Sequence, residues 1–174
     1  MTSPLATNAT SLFADPAARY RALHLELAGL LAGERDWLVN LANTAALLHL
    51  RLPELNWAGF YLWRGGKLVL GPFQGKPACV RIGRGRGVCG TAAMQRTTLV
   101  VPDVHQFPGH IACDSASASE IVVPLTLSDR QLGVLDLDSP QIGRFTSDDR
   151  TGLEEVARLL CAATDWPAEI GDFF

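Results

Sequence analysis

The chain has 174 residues, 48% of them hydrophobic, and carries a formal net charge of −3 with an isoelectric point near 5.8. That length fits one domain with a short arm, and the apolar share can bury a core without disulfide staples. The balance excludes a nucleic-acid surface, because the densest basic run, Arg81, Arg84 and Arg86, is broken by glycines and reads as a surface loop rather than an anion contact. No run reaches the ~20 apolar residues of a membrane span. Met1 to Pro16 lack the basic start and apolar centre of an export signal. A cytoplasmic location is expected. Four cysteines in a reducing compartment are then free, catalytic or metal-bound rather than structural disulfides.

Residues 1–15 are small and polar and read as a flexible N-terminal arm, which leaves 16–174 as the domain. Pro16 suits a first helical position, and Leu23, Leu27, Leu30 and Leu31 then share one helical face up to Gly33. Trp37, Leu38, Leu41, Ala45 and Leu48 mark a second helix ending before Pro53. At 57–63 and 67–73 the pattern changes to strands around Gly65-Gly66, a hairpin signature. A strand is expected over 77–82. The run Gly83 to Gly87 leads into a short helix over 87–96, and 98–101 form another strand. Pro102 to Ser119 is a long irregular stretch. Segments 120–127 and 131–138 form a second hairpin around Ser128-Asp129. Ser147 can cap a last helix with Leu153, Val156, Ala157 and Leu160 on its apolar face. The fold class is α+β, with helices at both ends and a largely antiparallel sheet between them.

A loop of eighteen residues without its own structure is uncommon in a compact domain and is usually functional. This one carries Asp103, His105, His110, Cys113 and Asp114. Cys113 has polar, small neighbours and an imidazole three residues away, which favours an accessible, ionisable thiol. Cys79, expected on a strand, and Cys89, near a helix start that favours a thiolate, are each open to a packing or a functional role. Cys161 on the last helix reads as core. The wide spacing of Cys79, Cys89, Cys113, His105 and His110 matches no common zinc pattern, so no metal is expected.

Asp136 and Asp138 are two apart on a strand and face one side, with Leu135 and Leu137 on the other. If the second hairpin pairs in register, Glu120 joins them near Asp138. Three converging acids fit an ammonium group, and a raised carboxyl pKa would make one of them a proton donor. Trp57 and Tyr61, four apart on a strand, also share a side and suit a methyl or sulfur group.

Several long runs occur together in one order. They are Gly71 to Cys79, Gly85 to Ala92, Val101 to Ser115 (VPDVHQFPGHIACDS), Ser119 to Pro124 and Gly133 to Pro140. Across most of residues 20–163 the chain resembles the free methionine-(R)-sulfoxide reductases. The resemblance implies a GAF-like domain, whose central antiparallel sheet has the N- and C-terminal helices on one side and a ligand pocket on the other. It implies Cys113 as nucleophile, Cys79 as principal resolving cysteine and Cys89 as a further cysteine. Glu120, Asp136 and Asp138 match the pocket acids, and Trp57 and Tyr61 the aromatic contacts. Thioredoxin is the implied reductant, free methionine sulfoxide the substrate, and a homodimer the assembly, with no bound cofactor or metal. Preference for the R epimer comes wholly from the resemblance. The rival expectation is a GAF module that binds a small molecule or senses redox state without turnover.

Overall fold

The computed structural model describes residues 15–109 and 115–173. Two helices open it. Helix α1 (Pro16–Leu31) has Pro16 at its first position and Asp15 accepting from the Ala17 amide, and α2 (Trp37–Arg51) is capped by Asp36, which accepts from the Leu38 and Val39 amides. Strands β1 (Trp57–Arg64) and β2 (Lys67–Gly75) form the first hairpin around Gly65-Gly66. Then follow β3 (Arg81–Ile82), α3 (Gly87–Gln95) and β4 (Leu99–Val101). The second hairpin is β5 (Ser119–Leu127) and β6 (Arg130–Ser139), turning at Ser128 with φ of 53°. Helix α4 (Ser147–Ala163) and the short β7 (Asp172–Phe173) close the chain.

The strands form one antiparallel sheet in the order β3-β2-β1-β6-β5-β4, and β7 pairs with β6 at Arg130 and Gln131, beyond the end of β1. Alternation along each strand gives the sheet two apolar faces. Ala58, Phe60 and Leu62 of β1, Ile121, Val123 and Leu125 of β5, and Leu135 and Leu137 of β6 pack under α1, α2 and α4. Trp57, Tyr61 and Trp63 of β1, Val122 of β5 and Val134 of β6 point the other way. They meet Val88, Ala92 and Ala93 of α3 with Val101 and Val104. The terminal helices thus share one side, as expected.

Several local expectations change. The cap of α4 is Thr146, not Ser147, because Asp149 closes a reciprocal capping box with it. Asp149 also accepts from Tyr20 Oη at 2.9 Å and Arg144 Nη1 at 3.0 Å, tying α4 to α1. The two helices touch at Gly152, where a Cβ would lie 2.1 Å from Tyr20 Cδ1. Leu30 and Leu38 are 43% and 51% exposed. The buried stripe of α1 runs through Tyr20, Leu23, Leu27 and Leu31, and Leu30 falls at its margin, as Leu38 does on α2. The strand expected over 77–82 is confined to Arg81 and Ile82, which pair with Val69 and Leu68, and residues 77–80 are loop, with Pro77 unable to donate to a ladder at its start. The stretch after Pro102 is not bare: Val104–Gln106 form a 3-10 turn, Asp103 accepts from the His105 amide, and Val104 N–H donates to Ala118 O.

Candidate active site

Strand β6 lies in the middle of the sheet, between β1 and β5. On the face away from α1, α2 and α4, Asp138 sits opposite Trp57 on one side and Glu120 on the other; Asp136 sits opposite Gly59 and Val122. The alternation that sends Leu135 and Leu137 into the helix-side core therefore places both aspartates in one row beside Glu120. Helix α3 covers that row and brings Cys89 down onto it, with Cys89 Sγ donating to Glu120 Oε1 at 3.8 Å. Trp57, Tyr61, Cys89, Glu120, Asp136 and Asp138 line one pocket.

The aromatic wall is held in place by its neighbours. The Trp57 ring stacks on Tyr61 at 5.9 Å and on Phe73 at 5.4 Å, and its Nε1 donates to the Lys76 carbonyl at 3.1 Å. Gly59 makes room for this arrangement, because a Cβ there would lie 2.3 Å from Phe73 Cβ and 2.7 Å from Trp57 Cη2. Residues with no site role expected from the sequence complete the pocket. Exposed Lys76 and Arg86 stand at its edge, and Ser117, which accepts from Asn56 Nδ2 at 3.0 Å, is buried. Arg86 keeps its expected place in the exposed loop before α3, with the pocket on one side of it.

Three groups share the dry centre. Cys89, Glu120 and Asp136 are 4%, 6% and 5% exposed. Burial, followed by the charges of Asp136 and Asp138, holds the Glu120 carboxyl well above the usual carboxylate range. Burial also raises Asp136, against hydrogen bonds from Cys89 and Glu120 that favour its charged form. Burial and then the Asp136 and Glu120 charges push the Cys89 thiol up. This corrects the expectation of a stabilised thiolate at the start of α3, since desolvation and two carboxylates outweigh the helix terminus there. Among the described residues, no hydrogen-bond partner reaches Asp136 Oδ1. A buried acidic oxygen left open in a pocket is a place for a donor brought by a ligand.

Residues 20–163 match the GAF domain family. The chain is 52% identical over 162 residues to the free methionine-R-sulfoxide reductase of Escherichia coli, covering 91% of this chain and 94% of that protein. It belongs to this reductase family of GAF domains. The Saccharomyces cerevisiae free methionine-R-sulfoxide reductase is 45% identical over 146 residues, covering 79% of this chain and 81% of its own length. A solved structure of the Neisseria meningitidis enzyme in complex with its substrate superposes with a TM-score of 0.83 at 48% identity, covering 86% of this chain and 90% of that one.

Within this family frame, the structure gathers Trp57, Tyr61, Glu120, Asp136 and Asp138 into one pocket and adds Cys89, whose place against the acids the sequence did not indicate. Cys79 is not on a strand but in the loop between β2 and β3, and it is disulfide-bonded. Cys89 and Cys161 are free, and Cys161 lies in the helix-side core with its thiol pushed up to about 12 by burial. The expected nucleophile Cys113 lies outside the described residues, with His110 and Asp114. Among the described residues no helix is long and apolar enough to cross a membrane.

Proposed function

We propose that this protein reduces free methionine-R-sulfoxide to methionine, with Cys113 as the nucleophile. The observation that carries the reading is the pocket itself, where buried acids on β5 and β6 face the Trp57–Tyr61 wall under α3. The ammonium group of the free amino acid pairs with Asp136 and Asp138, and the methyl sulfoxide packs on the two rings. The kinship with the Escherichia coli enzyme supports the same chemistry.

The Cys113 thiolate attacks the sulfoxide sulfur. The S–O oxygen needs a proton as that bond forms, and Glu120 supplies it; its burial beside Asp136 and Asp138 favours the protonated acid. The hydroxyl then passes from the substrate sulfur to the Cys113 sulfur as the new S–S bond and the old S–O bond break, so methionine departs with an electron pair on its sulfur and Cys113 is left as a sulfenic acid. Cys79 attacks that sulfur, water leaves, and a disulfide forms. A dithiol of the thioredoxin class returns the disulfide to two thiols in the cytoplasm. The disulfide at Cys79, beside a free Cys89 held neutral under α3, supports Cys79 over Cys89 in the resolving step.

The test is NADPH consumption with thioredoxin, its reductase and free methionine-R-sulfoxide, comparing wild type with Cys113→Ser. Turnover that vanishes in the variant is expected. A folded, reduced wild type without turnover would move the assignment to a ligand-binding GAF module.

A further inference from the structure

The pocket holds a second, separable capability. Cys89 Sγ, one oxygen of Glu120 and one of Asp136 all lie within 4.8 Å of one another, and Cys89 Sγ is 3.8 Å from Glu120 Oε1. Zinc bonds of about 2.3 Å to sulfur and about 2.1 Å to oxygen set ligand atoms roughly 3.5 Å apart at tetrahedral angles, so a closure of at most about 1.3 Å completes the set. The three groups come from α3, β5 and β6, elements packed together in the second core. Asp136 Oδ1 is buried without a hydrogen-bond partner among the described residues, an independent sign that this point of the pocket accepts a cation. One thiolate with two carboxylates selects a borderline metal over magnesium or calcium. The spacing of the cysteines in sequence could not reveal such a site, because two of its three ligands are acids on separate strands.

We propose that the reduced protein binds one Zn2+ through Cys89, Glu120 and Asp136, and that this metal and the substrate's ammonium group exclude one another. Binding exchanges the thiol proton, and any proton on the two carboxyls, for the metal, and those protons pass to solvent. Trp57 and Tyr61, against which the sulfoxide is placed in the proposed reaction, line the same pocket as the three ligands. The metal site stands independently of that reaction; only the competition rests on it.

The probe is Co2+, followed by Zn2+ displacement, on full-length reduced protein carrying Cys79→Ser and Cys113→Ser, so that the redox pair cannot ligate. One equivalent of Co2+ is expected to bind and give a near-ultraviolet sulfur-to-metal charge-transfer band, which Zn2+ abolishes. Adding Cys89→Ser is expected to remove the band. Glu120→Gln and Asp136→Asn, checked for folding by circular dichroism, are each expected to weaken binding at least about tenfold, the loss of one charged ligand. Free methionine sulfoxide is expected to raise the apparent Kd for Zn2+, and Zn2+ to inhibit turnover of the wild type competitively. A band that survives Cys89→Ser, or no binding at all, would overturn the site. Binding that ignores the sulfoxide would overturn the mutual exclusion. A bound metal in a protein without reductase turnover would leave the site standing and remove the reductase reading alone.

Discussion

Replacing Asp136 by Asn is expected to stabilise the ligand-free protein while weakening its hold on substrate, two changes of opposite sign from one atom. Asp136 is 5% exposed, its Oδ1 has no hydrogen-bond partner among the described residues, and Glu120 stands beside it. Leaving a buried acceptor unsatisfied costs about 1–3 kcal/mol. The Asn amide can donate to Glu120, so a gain of about 1–2 kcal/mol is expected, or roughly 2–8 °C in Tm for a chain of this size. The same carboxylate is the proposed partner of the ammonium group. A hydrogen bond to a charged group contributes about 1.5–3 kcal/mol, which corresponds to a rise in KM of about 10- to 100-fold. The pH dependence follows from the direction of the shift. Burial raises the folded-state pKa of Asp136, so the folded protein holds that proton more tightly than the unfolded chain. Wild type therefore loses stability as pH rises from the ordinary aspartate range through the raised value. The Tm advantage of Asp136→Asn is accordingly present at pH 8 and shrinks toward pH 4. Thermal unfolding at both pH values and initial rates with the thioredoxin system measure the two halves. A lower Tm at pH 8 with an unchanged KM would refute the reasoning.

Gly59→Ala is expected to destabilise by about 1–3 kcal/mol through overpacking, and to raise KM, because the new Cβ drives Trp57 and Phe73 apart; chemical denaturation and kinetics read the two effects. Cys161→Ala is expected to leave kcat and KM unchanged, and in the native wild type Cys161 resists alkylation, since its thiol is buried in the helix-side core and pushed up to about 12. Asp149→Asn is expected to cost about 3 kcal/mol by breaking the buried pair with Arg144. Burial acts to raise the Asp149 carboxyl, but the Thr146 amide, the Arg144 charge and the Tyr20 hydroxyl together hold it below its usual value. Its contribution is therefore full above the ordinary aspartate range and lost as pH falls through the depressed value, so the variant and wild type converge in Tm in acid.

The architecture was legible wherever local chemistry and periodicity agreed. Gly65-Gly66 and Ser128-Asp129 announced both hairpins, and the Leu-Asp-Leu-Asp run of β6 announced a strand with two unlike faces. The second hairpin's register was enough to bring Glu120 opposite Asp138. What escaped depended on contacts between distant segments. Nothing around Cys89 in the chain shows that α3 settles on Glu120 and Asp136, so the helix terminus suggested a thiolate where burial holds a thiol. The apolar Ala78-Cys79-Val80 suggested a strand, but β3 starts only at Arg81, so Cys79 falls in the loop after β2. The role of Gly59 exists only once Trp57 and Phe73 stack over it. Ser147 is as able a cap as Thr146 on its chemistry alone, and only Asp149, tied to Tyr20 and Arg144, makes Thr146 the cap.

The pocket's position in the sheet bears on why a free amino acid, rather than a residue within a polypeptide, would satisfy it. The acids stand on the central strand and on its neighbour β5, so neither edge of the sheet offers them water, and α3 closes the layer above. Moving such a row to an edge would lower its cost in the empty protein, but water would then compete with any bound cation. Held in the middle, Asp136 Oδ1 has no hydrogen-bond partner among the described residues until a donor with positive charge arrives, and that deficit becomes selectivity. A peptide-bound residue brings one neutral N–H where the free amino acid brings an ammonium group with three donors, so it leaves the same carboxylates buried and uncompensated. The Trp57–Tyr61 wall adds apolar contact to either ligand and discriminates little between them. In the proposed reaction, selection for the free amino acid therefore falls to the acids, and recognition of the sulfoxide end to the rings.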